Sequence, residues 1–499
     1  MGKKYVWIIV VASLLIVPRV EIAQVKISHK NLDEGLPNAM EIWKVPGLAL
    51  AIVKDGYVVY AKGFGYRDIE KKIPVNESTI FGCGSTTKAF TAALVATLVN
   101  EGKLKWDDKV VDHLPEFQMY DPYVTREITV RDLLCHRSGL PDADFVWLSS
   151  SFTRDDIVHQ VRFVKPSSGF RSQFIYQNLM ITVAGQLVAR VTGKSWDENI
   201  KERIFGPLGM TRSNTSIRDF RAGDDIATPY VLSDGKLTAI PWLNIDNIGP
   251  AGSVNSTALD YAKWIQLHLG KGTFQGETLW SEEAQKVMNS PQSIMTDTTT
   301  GLTHFHLYGL CWMLNDYRGK LVVWHAGATD GMGAIVGMLP EENLGVAIHC
   351  NTFYPMLLSN LMYRIFDMYL GLPERDWKKL EPLPPSAPPP KKQEFFPPEN
   401  TRPSLALNRY AGTYTSPLYG NVRVVLKEGR LALDFDSYPS ATLQHKYLDT
   451  FRASFGPNIP YMAKLFVGQG VDVTFIIDSR AMISEMNIDI FGSFERRND

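Results

Sequence analysis

Apolar and polar positions along this chain switch between a period of two and a period near 3.6, and the order of the switches outlines an architecture. From Val45 to Gly65 two apolar runs flank Lys54-Asp55-Gly56, which predicts two strands joined by a tight turn. The first run is apolar at nearly every position, as expected of a strand covered on both faces of a sheet. A helical stripe follows: Phe90, Leu94 and Leu98 recur at a spacing of four, with Val95 and Val99 widening it. Asn100-Glu101-Gly102 supplies its C-terminal stop. Thr129 can cap a short helix that ends near Gly139. Helical spacing then dominates to about residue 290, over 179–191, 197–205 and 260–269. Strand patterns return over 307–314, 320–324, 333–339 and 344–349, with turns at 316–319 and 340–343.

Strands at both ends with helices between them predict an α/β fold. Its core is one antiparallel β-sheet built from the two ends, flanked by helices and carrying a helical insert. Composition changes after residue 380. The stretch 381–403 is rich in proline, including Pro388-Pro389-Pro390, and reads as a semi-rigid linker. Short alternating segments from 404 to 499 then predict a small all-β domain, a barrel or a sandwich, with the barrel preferred.

The 499 residues are 45% hydrophobic and 21% charged, enough for a large core and more than one domain. A net charge of −1 gives no electrostatic case for nucleic acid or anionic lipid. Cys83, Cys135, Cys311 and Cys350 lie far apart, without the spacing of a zinc site or a disulfide framework. His304-Phe305-His306 has no third ligand nearby in sequence, so no metal or cofactor is called for. Lys3 and Lys4 precede 13 uncharged residues, Tyr5 to Val17, too short a run to span a bilayer. Residues 1–23 therefore read as a secretory signal ending at Ala23, with an uncleaved membrane anchor as the alternative because Glu21 is a poor cleavage-site residue. Export to a periplasmic or extracellular space is the expectation.

Candidate chemistry starts at Gly82-Cys83-Gly84-Ser85-Thr86-Thr87-Lys88. At a helix start, positions i and i+3 share a face, so the Ser85 hydroxyl and the Lys88 ammonium can meet. Burial lowers the pKa of a lysine, which fits it to take a proton from serine. Tyr176-Gln177-Asn178 stands before a helical run. A tyrosine among cationic groups can have a lowered pKa and act as a base, and an asparagine amide can hold a substrate carbonyl. His325-Ala326-Gly327-Ala328 ends a strand in small residues, where a backbone N–H can approach a substrate oxygen. Each pattern has a second copy, Ser233 to Lys236, Tyr419 to Asn421 and His268 to Gly270, in a predicted turn or helix end. The order serine–lysine, tyrosine, histidine–glycine carries the argument.

On these motifs residues 35–380 resemble the serine β-lactamase-like family of class C β-lactamases, D-aminopeptidases, family VIII esterases and CubicO-type peptidases. The segments 128–141, 203–210 and 249–260 extend the resemblance, and the stretch from Tyr410 is similar to the lipocalin-like domain of some CubicO-type peptidases. The resemblance implies that Ser85 forms an acyl-enzyme and that Lys88 and Tyr176 share proton transfer. It further implies an oxyanion held by the N–H groups of Ser85 and Ala328, with Asn178 steering the substrate. The family's K-T-G is replaced by His325-Ala326-Gly327, and a mostly neutral histidine puts efficient β-lactam hydrolysis in doubt. The expected function is thus an exported peptidase or esterase acting on small molecules or short peptides, first of all D-amino-acid peptides. The alternatives are a β-lactamase and a slowly acylating penicillin-binding or scaffold protein. Oligomeric state stays open, a homo-oligomer included.

Overall fold

The structure, a computed structural model, describes residues 29–233, 235–296, 303–353, 355–373, 401–468 and 470–497. The signal expected over 1–23 lies outside the described residues, as does the 381–403 linker except for 401–403, which carries no helix or strand.

The spine is a nine-stranded antiparallel sheet. Its strands are β1 (Gly47–Lys54), β2 (Tyr57–Asp68), β3 (Ile73–Pro74), β4 (Ser293–Thr296), β5 (His306–Tyr308), β6 (Met313–Tyr317), β7 (Lys320–Thr329), β8 (Met332–Leu339) and β9 (Leu344–Cys350). They lie in the order β4-β5-β6-β7-β8-β9-β1-β2-β3. The two ends of the region meet where β1 pairs with β9, Leu48 opposite Cys350 and Ile52 opposite Val346.

The main helices are α1 (Lys30–Ile42), α2 (Thr87–Asn100), α3 (Leu179–Thr192), α4 (Ala258–Leu269) and α5 (Pro355–Tyr369). Alternation along β1 explains its unbroken apolar run. Leu48, Leu50 and Ile52 join a core with Leu36 of α1 and Leu361 of α5. Ala49, Ala51 and Val53 turn to the opposite core, which holds α2, α3 and α4. The sequence predicts one apolar stripe on α2, but every residue from Thr87 to Leu98 is buried. Alanines and threonines on its other faces let neighbours close in, and Phe90 stacks on Trp264 with ring centres 4.0 Å apart. The run 307–314, read as one strand, is β5 and the start of β6. Residues 309–312 break it, with Cys311 in the left-handed region at φ 61°.

The C-terminal part is a closed eight-stranded barrel, from Gly412–Ser416 to Gly492–Arg496, and these two strands pair to complete it. Closure leaves no unpaired sheet edge. The barrel docks on the hydrolase-like part at two places. The Phe145 ring lies 5.5 Å from both Phe466 and Phe491, and the Tyr438 hydroxyl donates to the Phe145 carbonyl at 2.8 Å. Asp330, in the β7–β8 turn, accepts from the N–H groups of Tyr461 and Met462 at 2.6 and 2.9 Å. It thereby caps the barrel helix Tyr461–Val467.

Replacing Asp330 by alanine is expected to cost about 1 kcal/mol, the usual loss for a capping acceptor. Thermal unfolding checks this: an unchanged midpoint would mean that the contacts around Phe145 and Tyr438 hold the barrel without the cap.

Candidate active site

Ser85 is delivered by a short pair of strands. Phe81–Gly82 pairs with Asn255–Ser256, and the Cys83 N–H donates to the Val254 carbonyl at 2.9 Å. The chain then makes one 3₁₀ turn, Gly84–Thr86, and enters α2. Ser85 is partly exposed there, whereas Gly84 and Thr86 are buried.

Strand β7 reaches the same point from the sheet. Its first half, Lys320–Trp324, pairs with β6, but from His325 to Thr329 it keeps only β8 as a partner. The side left open by β6 packs against the Ser85 turn, and two glycines make that approach possible. A side-chain carbon at Gly84 (φ +52°) would lie 2.3 Å from the Ala328 nitrogen. One at Gly327 would lie 2.1 Å from the Cys83 carbonyl oxygen and 2.8 Å from the Ser85 nitrogen. The main chain of Ser85 and of Ala328 therefore meets at one spot beside the serine hydroxyl.

Lys88 is fully buried and has three acceptors for its three donors. Its ammonium donates to Ser85 Oγ at 2.9 Å, Asn178 Oδ1 at 2.7 Å and the Ala251 carbonyl at 2.9 Å. Burial lowers its pKa from the ordinary 10.5 to about 7, although the Asp144 carboxylate pulls the other way. Near neutrality the amine thus exists in both forms. The neutral form can keep its bonds to Asn178 and Ala251 and turn its lone pair to the Ser85 hydroxyl.

Tyr176 lines the same cleft as the serine, with its ring centre 4.8 Å from the Lys88 ammonium. The lowered pKa expected from the sequence is corrected here. Burial drives the phenol well above its usual range, so Tyr176 holds its proton at neutral pH and is a donor at rest.

A cleft of about 510 Å³ opens over these groups. The Beta-lactamase family profile matches residues 37–365. The chain belongs to the beta-lactamase family. A second profile, a domain of unknown function (DUF3471), matches residues 397–497, the barrel. Unguisins hydrolase ungD' of Aspergillus campestris is 30% identical over 437 residues, 83% of this chain and 80% of that protein. Protein flp of Staphylococcus aureus is 24% identical over 68% of this chain and 66% of its own length. An octameric penicillin-binding protein homologue from Pyrococcus abyssi shares the fold. Its TM-score is 0.62 at 24% identity, over 93% of this chain and 99% of that one. The coarse chemistry is therefore that of a serine hydrolase of the beta-lactamase family.

Within this member of the beta-lactamase family, the sequence motifs divide in position. Ser85, Tyr176, Asn178, Gly327 and Ala328 all line the cleft, with Lys88 directly beneath Ser85. His325 does not line it, which corrects its assignment to substrate binding. Its imidazole is fully buried, bonded to the Tyr308 hydroxyl at 3.0 Å and to the Ala326 carbonyl at 2.6 Å. Burial and the nearby Lys88 lower its pKa to about 3, so it is a neutral packing group. Asn178, expected to steer the substrate, is engaged at both ends of its amide. Besides holding Lys88, its Nδ2 donates to Asp144 at 2.9 Å.

Two participants carried no sequence signal. The Ala251 carbonyl is main chain, and Asp144 opens a short 3₁₀ turn, Asp144–Val146, that no motif marks. Apart from those groups the cleft is lined mainly by apolar side chains, among them Trp147, Phe174, Ile245, Met295 and Phe353. Among the described residues no lysine or arginine lines it, and Asp144 is the one carboxylate that does. The second motif copies stay outside. Ser233 faces Lys236 across a hairpin, Tyr419 and Asn421 belong to the barrel, and His268 is buried at the end of α4. Among the described residues no group of three or more metal-ligating side chains comes together.

The rate with a neutral substrate is expected to rise with pH through about 7, because only the deprotonated Lys88 can accept the Ser85 proton. A rate independent of pH over that range would remove Lys88 from the base role. Gly327→Ala forces a methyl into the Cys83 carbonyl. It is expected to lower turnover by about 100-fold with an unchanged circular dichroism spectrum, as misplacement by an ångström does. Wild-type kinetics in that variant would rule out a fixed approach of β7 to the serine.

Proposed function

We propose that this protein is an exported serine hydrolase that cleaves amide or ester bonds in small, largely apolar substrates through an acyl-enzyme on Ser85. The observation that carries the reading is the buried Lys88 ammonium 2.9 Å from a partly exposed Ser85 hydroxyl, at the floor of an apolar cleft. Neutral Lys88 takes the Ser85 proton as Oγ adds to the carbonyl carbon. The N–H groups of Ser85 and Ala328 hold the oxyanion. Tyr176 gives its proton to the departing amine or alkoxide and recovers one from Lys88. Water then attacks the ester by the reverse relay and frees the acid.

Short peptides, D-amino-acid peptides first, are the favoured substrates. The fold is shared with a penicillin-binding protein homologue, and the Aspergillus relative is named as a hydrolase of unguisins. The absence of lysine and arginine among the described residues that line the cleft weighs against anionic β-lactams, as does the buried, neutral His325. Export rests on the N-terminal sequence pattern alone.

Initial rates on a D-alanine anilide, a short-chain nitrophenyl ester and a chromogenic cephalosporin test the reading. Turnover of the anilide or ester that exceeds the cephalosporin rate is expected, with a loss of about 10⁵–10⁶-fold in Ser85→Ala. Fast cephalosporin turnover would move the protein to the β-lactamases, and a fully active Ser85→Ala would end the acyl-enzyme proposal. Tyr176→Phe should fold normally and lose about 10²–10⁴-fold in turnover, the span of a missing proton donor. Retention of the full rate would leave lysine and water as the only shuttles.

A further inference from the structure

Among the described residues Asp144 is the only carboxylate that lines the cleft, and neither the motifs nor the proposed chemistry uses it. Its Oδ1 accepts from Asn178 Nδ2 at 2.9 Å and from the Trp147 indole N–H at 2.6 Å. The first bond fixes which way the Asn178 amide points: a carboxylate on one side admits only the NH₂ end. The carbonyl end is therefore presented to Lys88 at 2.7 Å. Without Asp144 the amide could turn over and set an N–H against the ammonium.

The barrel adds to the bonds that the segment carrying Asp144 makes within itself, such as the Leu148 N–H to the Asp144 carbonyl at 2.8 Å. The Phe145 carbonyl accepts the Tyr438 hydroxyl at 2.8 Å, and the Ser151 N–H donates to the Ser437 carbonyl at 2.8 Å. Phe145 is also packed between Phe466 and Phe491 of the barrel. A continuous run of contacts thus leads from the barrel through Asp144 and Asn178 to the catalytic lysine.

We infer that Asp144 is a positioning residue of the hydrolase, which orients Asn178 and through it Lys88, and that barrel docking holds it in place. The inference rests on the proposed role of Lys88 as base.

The groups around Lys88 make the test selective. Burial keeps Cys311 and Tyr176 protonated by raising their pKa values. His136 and His325 are neutral, since burial and Lys88 itself lower theirs. Asp142, on the same loop, is pushed up to about 6 by burial and by Asp144. Asp144 is the one carboxylate that holds the Lys88 pKa up. Its removal lowers that pKa, so the acid limb of the rate profile moves to lower pH.

Asp144→Ala is expected to lower kcat by about 10- to 100-fold through misplacement of Lys88 and to shift the acid limb downward. Added to Asn178→Ala, it should have almost no further effect on kcat, because the two residues act in series. Asp144→Asn keeps an acceptor for Asn178 but no charge. It should hold kcat near wild type while shifting the limb as far as alanine does. A loss of rate without a shift of the limb, a shift without loss in Asp144→Ala, or additive losses in the double variant would each overturn the inference. Should Asp144→Ala fail to fold, the limb of Asp144→Asn decides: a downward shift supports the inference and an unmoved limb overturns it. Ser85→Ala keeps the two questions apart, since an active Ser85→Ala defeats the acyl-enzyme itself whatever Asp144 does.

Discussion

A lysine side chain with no exposure to solvent cannot remain an ammonium unless each of its three protons finds an acceptor. Around Lys88 the acceptors come from three separate stretches of chain: the serine turn, the start of α3 and the turn Gly249–Gly252. Each must arrive within hydrogen-bonding distance, so the burial of one amine ties together segments more than 150 residues apart in sequence. The same burial lowers the proton affinity of that amine to the point where it can act. Three acceptors are enough to keep the charged form accessible, while desolvation keeps the neutral form within reach. Structural tolerance and chemical reactivity are here two readings of one desolvation cost.

Much of this was written in the order of residues. The apolar run of β1, the Asp55-Gly56 turn and the late strands were enough to predict one sheet built from the two ends of the region, and the pairing of β1 with β9 came from the structure. The alternation after residue 404 was enough to predict a small all-β domain, while closure into a barrel rather than a sandwich was not in the pattern. The positions of Ser85, Lys88, Tyr176 and Gly327 around one cleft followed from their local contexts. What stayed hidden depended on distant partners. The run 307–314 looks like a strand. Its middle is pulled out of the ladder by bonds from the Leu310 N–H to Met288 and from the Cys311 N–H to Leu134, both remote in sequence. His325 looked like a ligand group because its motif does, but Tyr308 takes its Nε2. The acidity of Tyr176 was misjudged for the same reason. A count of neighbouring cations was available from the sequence, and the depth of burial was not. A main-chain acceptor such as Ala251 leaves no side-chain mark at all.

The sheet contributes more than support. Where β6 stops at Met313, β7 runs on for five residues with one side unpaired, and that unpaired side is what the serine turn packs against. An unpaired ladder edge is ordinarily a liability that proteins cover. Here the serine turn covers it, and the close approach of Gly327 and Ala328 to that turn is what the proposed oxyanion pocket requires.

Met462 belongs to the barrel, yet it forms part of the cleft wall beside Thr329 and Phe353. The container for the substrate is thus assembled from two parts of the chain that share no strand. A substitution at Met462 can reshape what the cleft admits while every proton-transferring side chain keeps its identity. Tyr438 and Phe491 stand under a second constraint, because they also brace the segment that carries Asp144. Descendants of this chain could thus change diet through the barrel positions that face the cleft, and not through those that brace it.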